Sequence, residues 1–140
     1  MRTVIRLLGL VVALVVVFFA AVFAASEFGG EVVKLDTVDA SGAHHVTHLW
    51  VVDDGGFAWL RAGVPTSGWL VRIEANPDVT VERGGVTYKM KGVPVREPVV
   101  RDRIHALMRD HYGWADRLVS VMRDPNGSVP VRLETVQPAP

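Results

Sequence analysis

The chain has 140 residues, 49% of them hydrophobic and 21% charged, with fifteen basic and fifteen acidic side chains. That length suits one domain, and a balanced charge with no concentrated basic face excludes nucleic acid as a partner. No cysteine occurs, which removes disulfides, thiolate metal sites and cysteine nucleophiles.

Leu7 to Ala25 is an uncharged apolar run broken only by Gly9. As a helix it spans about 29 Å, close to the hydrocarbon thickness of a bilayer. It is apolar on every side, which an amphipathic soluble helix is not. Residues 1–26 therefore form either a transmembrane anchor or a cleaved signal segment, with Ala24-Ala25-Ser26 as the cleavage site. The run exceeds the roughly 7–15 residues of a signal core, which favours the anchor. Arg2 and Arg6 precede the run and the next basic residue is Lys34. Positive-inside logic then keeps the N-terminus cytoplasmic and the globular part outside, with secretion after cleavage as the alternative. Residues 27–140, the expected domain, carry thirteen basic against fifteen acidic side chains, a net charge of −2.

After a Gly29-Gly30 hinge, Glu31 to Val38 mixes β-branched residues with charges and predicts a strand. Asp39 to Ala43 has turn composition, His44 to Val52 predicts a long second strand, and Asp53 to Gly56 a hairpin turn into Phe57–Ala62. Ser67 is a candidate helix cap, and Trp69, Leu70 and Ile73 share one helical face. Pro77 stops that helix at Asn76, and Val79 and Val81 alternate with Thr80 and Glu82 as a strand. Gly84-Gly85 turns the chain into a second hairpin, Val86 to Lys91. Glu97-Pro98 opens a helix whose Val100, Ile104, Leu107 and Met108 recur at i, i+4, i+7 and i+8, ending at Tyr112-Gly113. Trp114 to Met122 predicts a shorter helix with Leu118, Val119 and Met122 on one side. Asp124 to Gly127 is a turn, Val129 to Val136 a closing strand, and Gln137 to Pro140 a tail. Hairpins with few helices give an α+β class, a small barrel of antiparallel strands with flanking helices, preceded by one N-terminal transmembrane helix.

Four pieces of this order carry a resemblance. They are Ser41-Gly42 leading into Thr47-His48-Leu49-Trp50, the Asp-Gly hairpin with Trp59 to Gly63, the Trp69…Asn76-Pro77 segment, and Tyr112-Gly-Trp-Ala-Asp116 before Val129 to Leu133. Over roughly Val32 to Leu133 the chain resembles the deazaflavin-dependent nitroreductase family, whose fold is the flavin-binding split β-barrel of the pyridoxamine-phosphate-oxidase type. The resemblance implies a groove beside the barrel for the deazaflavin coenzyme F(420), with FMN as the alternative. It also implies hydride transfer to a quinone- or nitroaromatic-type acceptor, and a homodimer. The cofactor-binding residues it implies are Ser41, His44, His45, Thr47 and Leu49, then Arg61, Ala62 and Gly63, then Trp69 and Arg72. It places Tyr112 near the active site as a proton donor or ring-packing residue; the alternative is a helix-end tyrosine packed on the barrel.

One stretch departs from the family. Its cofactor tail meets a turn rich in Arg and Lys, whereas here Asp39 to His45 offers only His44 and His45. Arg61 and Arg72 are the remaining phosphate candidates, with ordinary surface pairing to Glu74 and Asp78 as the other reading. His44 and His48 share a strand face and His45 points away, so at most two rings meet and no metal site is expected. Trp50, Trp59 and Trp114 are expected mostly in the core, with Trp69 open between core and ring stacking. Two functions follow. One is a membrane-anchored, deazaflavin-dependent oxidoreductase acting on a small lipophilic acceptor, held to the membrane through Leu7 to Ala25. The other is a non-catalytic binding or assembly subunit that has lost the phosphate site; an FMN- or haem-binding barrel is a third.

Overall fold

The computed structural model describes residues 1–28, 31–121 and 124–136. The chain forms two compact units, Met1–Gly30 and Glu31–Pro140. The first is helix α1, Arg2–Phe28, which runs on through Ser26. Its Arg2–Ala21 stretch has a mean hydropathy of 2.8, none of it buried, and is long and apolar enough to cross a membrane.

The second unit is an α+β domain whose strands are β1 (Val32–Val38), β2 (His44–Trp50), β3 (Val52–Asp54), β4 (Phe57–Ala62), β5 (Asp78–Arg83), β6 (Val86–Pro94) and β7 (Val129–Thr135). They form one antiparallel sheet in the order β2-β1-β5-β6-β7-β4-β3. The helices are α2 (Gly68–Ala75), α3 (Pro98–Tyr112) and α4 (Trp114–Val121). The sheet curls so that β2, at one edge, touches β4 near the other. No ladder joins β2 to β4 among the described residues, so the barrel stays open along that seam.

Strand alternation sorts the side chains into two cores. Val33 and Leu35 of β1, Leu60 and Ala62 of β4, Val79 and Val81 of β5, and Val131 and Leu133 of β7 point inward. There they meet Trp69, Leu70 and Ile73 of α2, which plugs the barrel. Each such apolar side chain contributes about 1.5–3 kcal/mol by leaving water. The helix sits so close to β6 that a Cβ at Gly92 would stand 2.9 Å from Cδ1 of Ile73. Outside the barrel, Ile104, Met108 and Tyr112 of α3 cover Val52 and Trp59.

Several expected details differ. The strand predicted over His44 to Val52 breaks at Val51, because its backbone is used elsewhere. Its N–H donates to the Tyr112 hydroxyl at 3.0 Å, and its carbonyl lies 2.7 Å from the same oxygen. Ser67 does not cap α2; its hydroxyl donates to the Val64 carbonyl at 2.9 Å. The second hairpin extends from Lys91 to Pro94 because β7 pairs along it, Met90 against Thr135 through Pro94 against Val131. Trp114 and Leu118 are exposed rather than interior, since among the described residues no other element covers that face of α4. Asp124 to Gly127 closes as a 3-10 turn over Pro125–Gly127. Met122 and the tail from Gln137 lie outside the described residues, as does the side-chain placement of Val119.

Tyr112→Phe keeps the ring but removes the hydroxyl from three main-chain groups. We expect it to destabilise the domain by about 1–3 kcal/mol, read from denaturant unfolding of the detergent-solubilised chain.

Candidate functional site

The expected site residues fall into two separate groups. At the end of the β1–β2 hairpin, Asp39 organises the turn. Its Oδ1 accepts the Ser41 hydroxyl at 2.6 Å, the Ser41 N–H at 2.9 Å and the Ala43 N–H at 3.0 Å. Its Oδ2 lies 2.7 Å from the His45 ring. The Ser41 hydroxyl, the His45 ring and the Ala43 N–H together hold this carboxyl well below the usual carboxylate range. Next to it on β2, His44 places its Nδ1 2.9 Å from Asp36 Oδ2 of β1. Both imidazoles thus face carboxylates.

Arg72 reaches this end from α2. Its Nε donates to Thr37 Oγ1 at 2.7 Å, and Thr37, fully buried, donates to the His45 carbonyl at 3.4 Å. Thr47 and Leu49 follow His45 on the same face of β2, half-buried beside the open seam. Ser41, through Asp39, and Arg72, through Thr37, therefore meet the His45 end of a rim that continues along β2 to Thr47 and Leu49. A cleft of about 390 Å³ opens at this end of the sheet, lined by Asp36, His44, Asp78 and Lys89 over Val79 and Met90. One oxygen of Asp36 is buried without a hydrogen-bond partner among the described residues.

The other expected residues are elsewhere. Arg61 shares its β4 face with Trp59, opposite Ala62, and is only 10% exposed. It pairs with the buried Asp116 of α4 and donates to His105 Nδ1 at 2.9 Å. Because a guanidinium only donates, Nδ1 must accept, and the ring proton sits on Nε2, 2.5 Å from Ser128 Oγ. That tautomer gives Ser128 no base, so the Ser-His pair is not a nucleophile and its activator. Arg61, expected as a phosphate contact, is thus paired inside the domain with Asp116 and His105. Ala62 is buried to zero exposure on the inner face, and Trp69 is packed within the inner core, so neither offers a surface to a ring. Gly63 follows β4, half-buried.

Tyr112 is likewise structural. Its ring stacks on Trp50 at 4.4 Å and 9°, and its single proton lies between the carbonyls of Glu31 and Val51, each 2.7 Å away. Burial pushes the phenol above its ordinary range. This geometry packs the helix-end tyrosine on the barrel. Among the described residues no three His, Asp or Glu side chains converge as a metal group.

Asp39, Thr37 and the His105–Asp116–Ser128 group were missed by sequence reasoning. Asp39 had a signal, since Asp-x-Ser-Gly is an Asx-turn composition. The others had none, because the contacts join residues 44 and 55 positions apart.

No family model and no curated protein matches the sequence. Solved structures do. A conserved hypothetical protein of Mycobacterium tuberculosis superposes with a TM-score of 0.63 at 21% identity, over 77% of this chain and 74% of that one. The fold is the split β-barrel. A heme storage protein of Vibrio cholerae shares it, with a TM-score of 0.61 and 18% identity over 82% and 89% of the two chains. So does an F(420)-H(2)-dependent reductase, with a TM-score of 0.59 and 21% identity over 72% and 92%.

Two outcomes check this geometry. Arg61→Ala should destabilise the domain by about 3–5 kcal/mol, as breaking a buried pair does, measured by denaturant unfolding. Asp39 has its folded pKa below its ordinary value of 3.8, so its stabilisation is full above that value and is lost as the pH falls. Asp39→Asn should therefore flatten the acid limb of a stability-against-pH curve below about pH 4.

Proposed function

We propose that the chain is a membrane-anchored split-barrel protein of the oxidoreductase type. On this reading it holds a deazaflavin such as coenzyme F(420), or FMN, at the rim beside β2, and passes hydride to a lipophilic quinone- or nitroaromatic-type acceptor. The observation that carries the reading is Arg72. Its Nε donates to Thr37 at 2.7 Å, and the other guanidinium nitrogens are the donors a phosphate would take, on a fold shared with an F(420)-H(2)-dependent reductase. The cofactor would supply the redox step; the protein would place the ring against the acceptor and exclude water. Ser41, Thr47 and Leu49 are the neighbours that would flank it. A lipophilic acceptor suits anchoring through α1, with the N-terminus cytoplasmic, the domain outside and two copies paired.

A specific observation favours a second reading, a non-catalytic binding or assembly subunit. The turn that would meet an anionic tail carries the ionised Asp39, and its donors are already turned onto that carboxylate. A long polyanionic tail does not fit there, which leaves one phosphate on Arg72 as the contact the residues support.

The detergent-solubilised full chain, titrated with F(420) and separately with FMN by fluorescence, decides between them. The oxidoreductase reading expects micromolar or tighter binding of one, weakened about tenfold by Arg72→Ala, the loss of one charge-assisted contact. Binding of neither leaves the second reading.

A further inference from the structure

Strand alternation turns Asp36 away from the rim residues. Val33 and Leu35 point into the barrel, so Asp36 and Val38 of β1 face outward. Asp78 and Thr80 of β5 face outward beside them, since Val79 and Val81 point in. Ladder register puts Asp36 opposite Thr80, and Thr80 opposite Lys89 of β6. His44 joins this outer face, whereas Thr47 and Leu49 of the rim lie on the other face of β2. The cleft of about 390 Å³ is lined by these outward side chains and by Val136.

The charges in this cleft are largely unspent. Among the described residues, neither the Asp78 carboxylate nor the Lys89 ammonium has an ion-pair or hydrogen-bond partner. Asp36 is half used: its Oδ2 lies 2.9 Å from His44 Nδ1, and its Oδ1 is buried with no donor among the described residues. An acceptor left unpaired away from water is costly, so the site gains when a donor is supplied. The cleft thus presents carboxylates from β1 and β5, an ammonium from β6, and apolar surface from Val38 and Val136.

Charge and spacing sort the ligands that fit. A simple anion would face two carboxylates, and a simple cation would be repelled by Lys89; a zwitterion meets both signs. Asp36 and Lys89 are two strand spacings apart, roughly 9–10 Å, and side chains standing off a sheet keep about that separation at their tips. An α-amino acid holds its ammonium about 3 Å from its carboxylate oxygens. With a charge-assisted bond of about 2.8 Å at each end, it bridges roughly 8–9 Å. We propose that this cleft binds a free α-amino acid with an apolar side chain. Its ammonium meets Asp36 and Asp78, its carboxylate meets Lys89, and its side chain lies against Val38 and Val136. His44, bonded to Asp36 Oδ2, steadies the receiving carboxylate.

Equilibrium dialysis of the detergent-solubilised full chain against isotope-labelled L-leucine tests the proposal. Saturable, sub-millimolar binding is expected. Isoamylamine, which lacks the carboxylate, and isocaproate, which lacks the ammonium, should each compete at least about tenfold more weakly than leucine. Lys89→Met and Asp36→Asn should each weaken leucine binding about tenfold, the loss of one charge-assisted contact. Lys89 is exposed, so Lys89→Met carries the test even where Asp36→Asn disturbs β1. Lys91→Met, one residue pair along β6 and outside the cleft lining, should leave binding unchanged. No saturation up to roughly 10 mM leucine, by a chain whose near-ultraviolet dichroism shows native packing, would overturn the proposal. Isoamylamine competing as well as leucine would overturn the zwitterion in favour of a plain cation site. Unchanged binding by Lys89→Met would overturn the placement of the ligand carboxylate, and an equal loss with Lys91→Met would reduce the effect to general surface charge.

Discussion

At Val51 the chain leaves one strand partner and takes another, and a single phenol makes that possible. A break in a sheet strands a buried N–H and a buried C=O, each costly to leave unpaired. Tyr112 supplies one oxygen that serves Val51 on both sides and also meets the carbonyl of Glu31. Because, among the described residues, β2 pairs only with β1 and β3 only with β4, the sheet curls without closing. The open seam, the rim along β2 and the position of Glu31 all depend on this tie. The tie depends in turn on α3 packing through Ile104 and Met108, which brings its last residue to the strand break.

The distribution of charge follows from where the strands face. Arg61 alternates away from Leu60 and Ala62, which places it under α4, and burial there is tolerated only with Asp116 and His105 as partners. Arg83 is held by Glu31 and Asp53, whose carboxyls its guanidinium lowers below their ordinary values while its own pKa is raised. Both arginines stabilise the domain. Arg72, tied by one nitrogen to Thr37, is the cation left at the rim, and the proposed function turns on it.

The rim also shows why a shared fold does not carry a shared ligand. A split barrel places the β1–β2 turn beside the seam, but side chains decide what that turn attracts. Here Asp39 gathers the local donors onto itself and presents no cation.

Much of the architecture was legible in the linear sequence. Alternating Val79 and Val81, the i, i+4 spacing of Ile104 and Met108, the Asn76-Pro77 stop and the Gly turns are local rules that tertiary context did not override. The apolar helix at the N-terminus was equally plain, since length and hydropathy suffice. The fates of Tyr112, Arg61, Trp69 and Trp114 were not legible. Each is a residue with an apolar body and a polar or aromatic surface that suits a core, an ion pair or a ligand equally well. Which of these it becomes depends on partners 44 to 81 positions away, such as His105 for Arg61 and Glu31 for Tyr112. Sequence determined the elements because their signals act within a turn or two of chain. Only the tertiary structure decided which polar groups the fold consumes, because that depends on burial and on contacts that exist only once the sheet has curled.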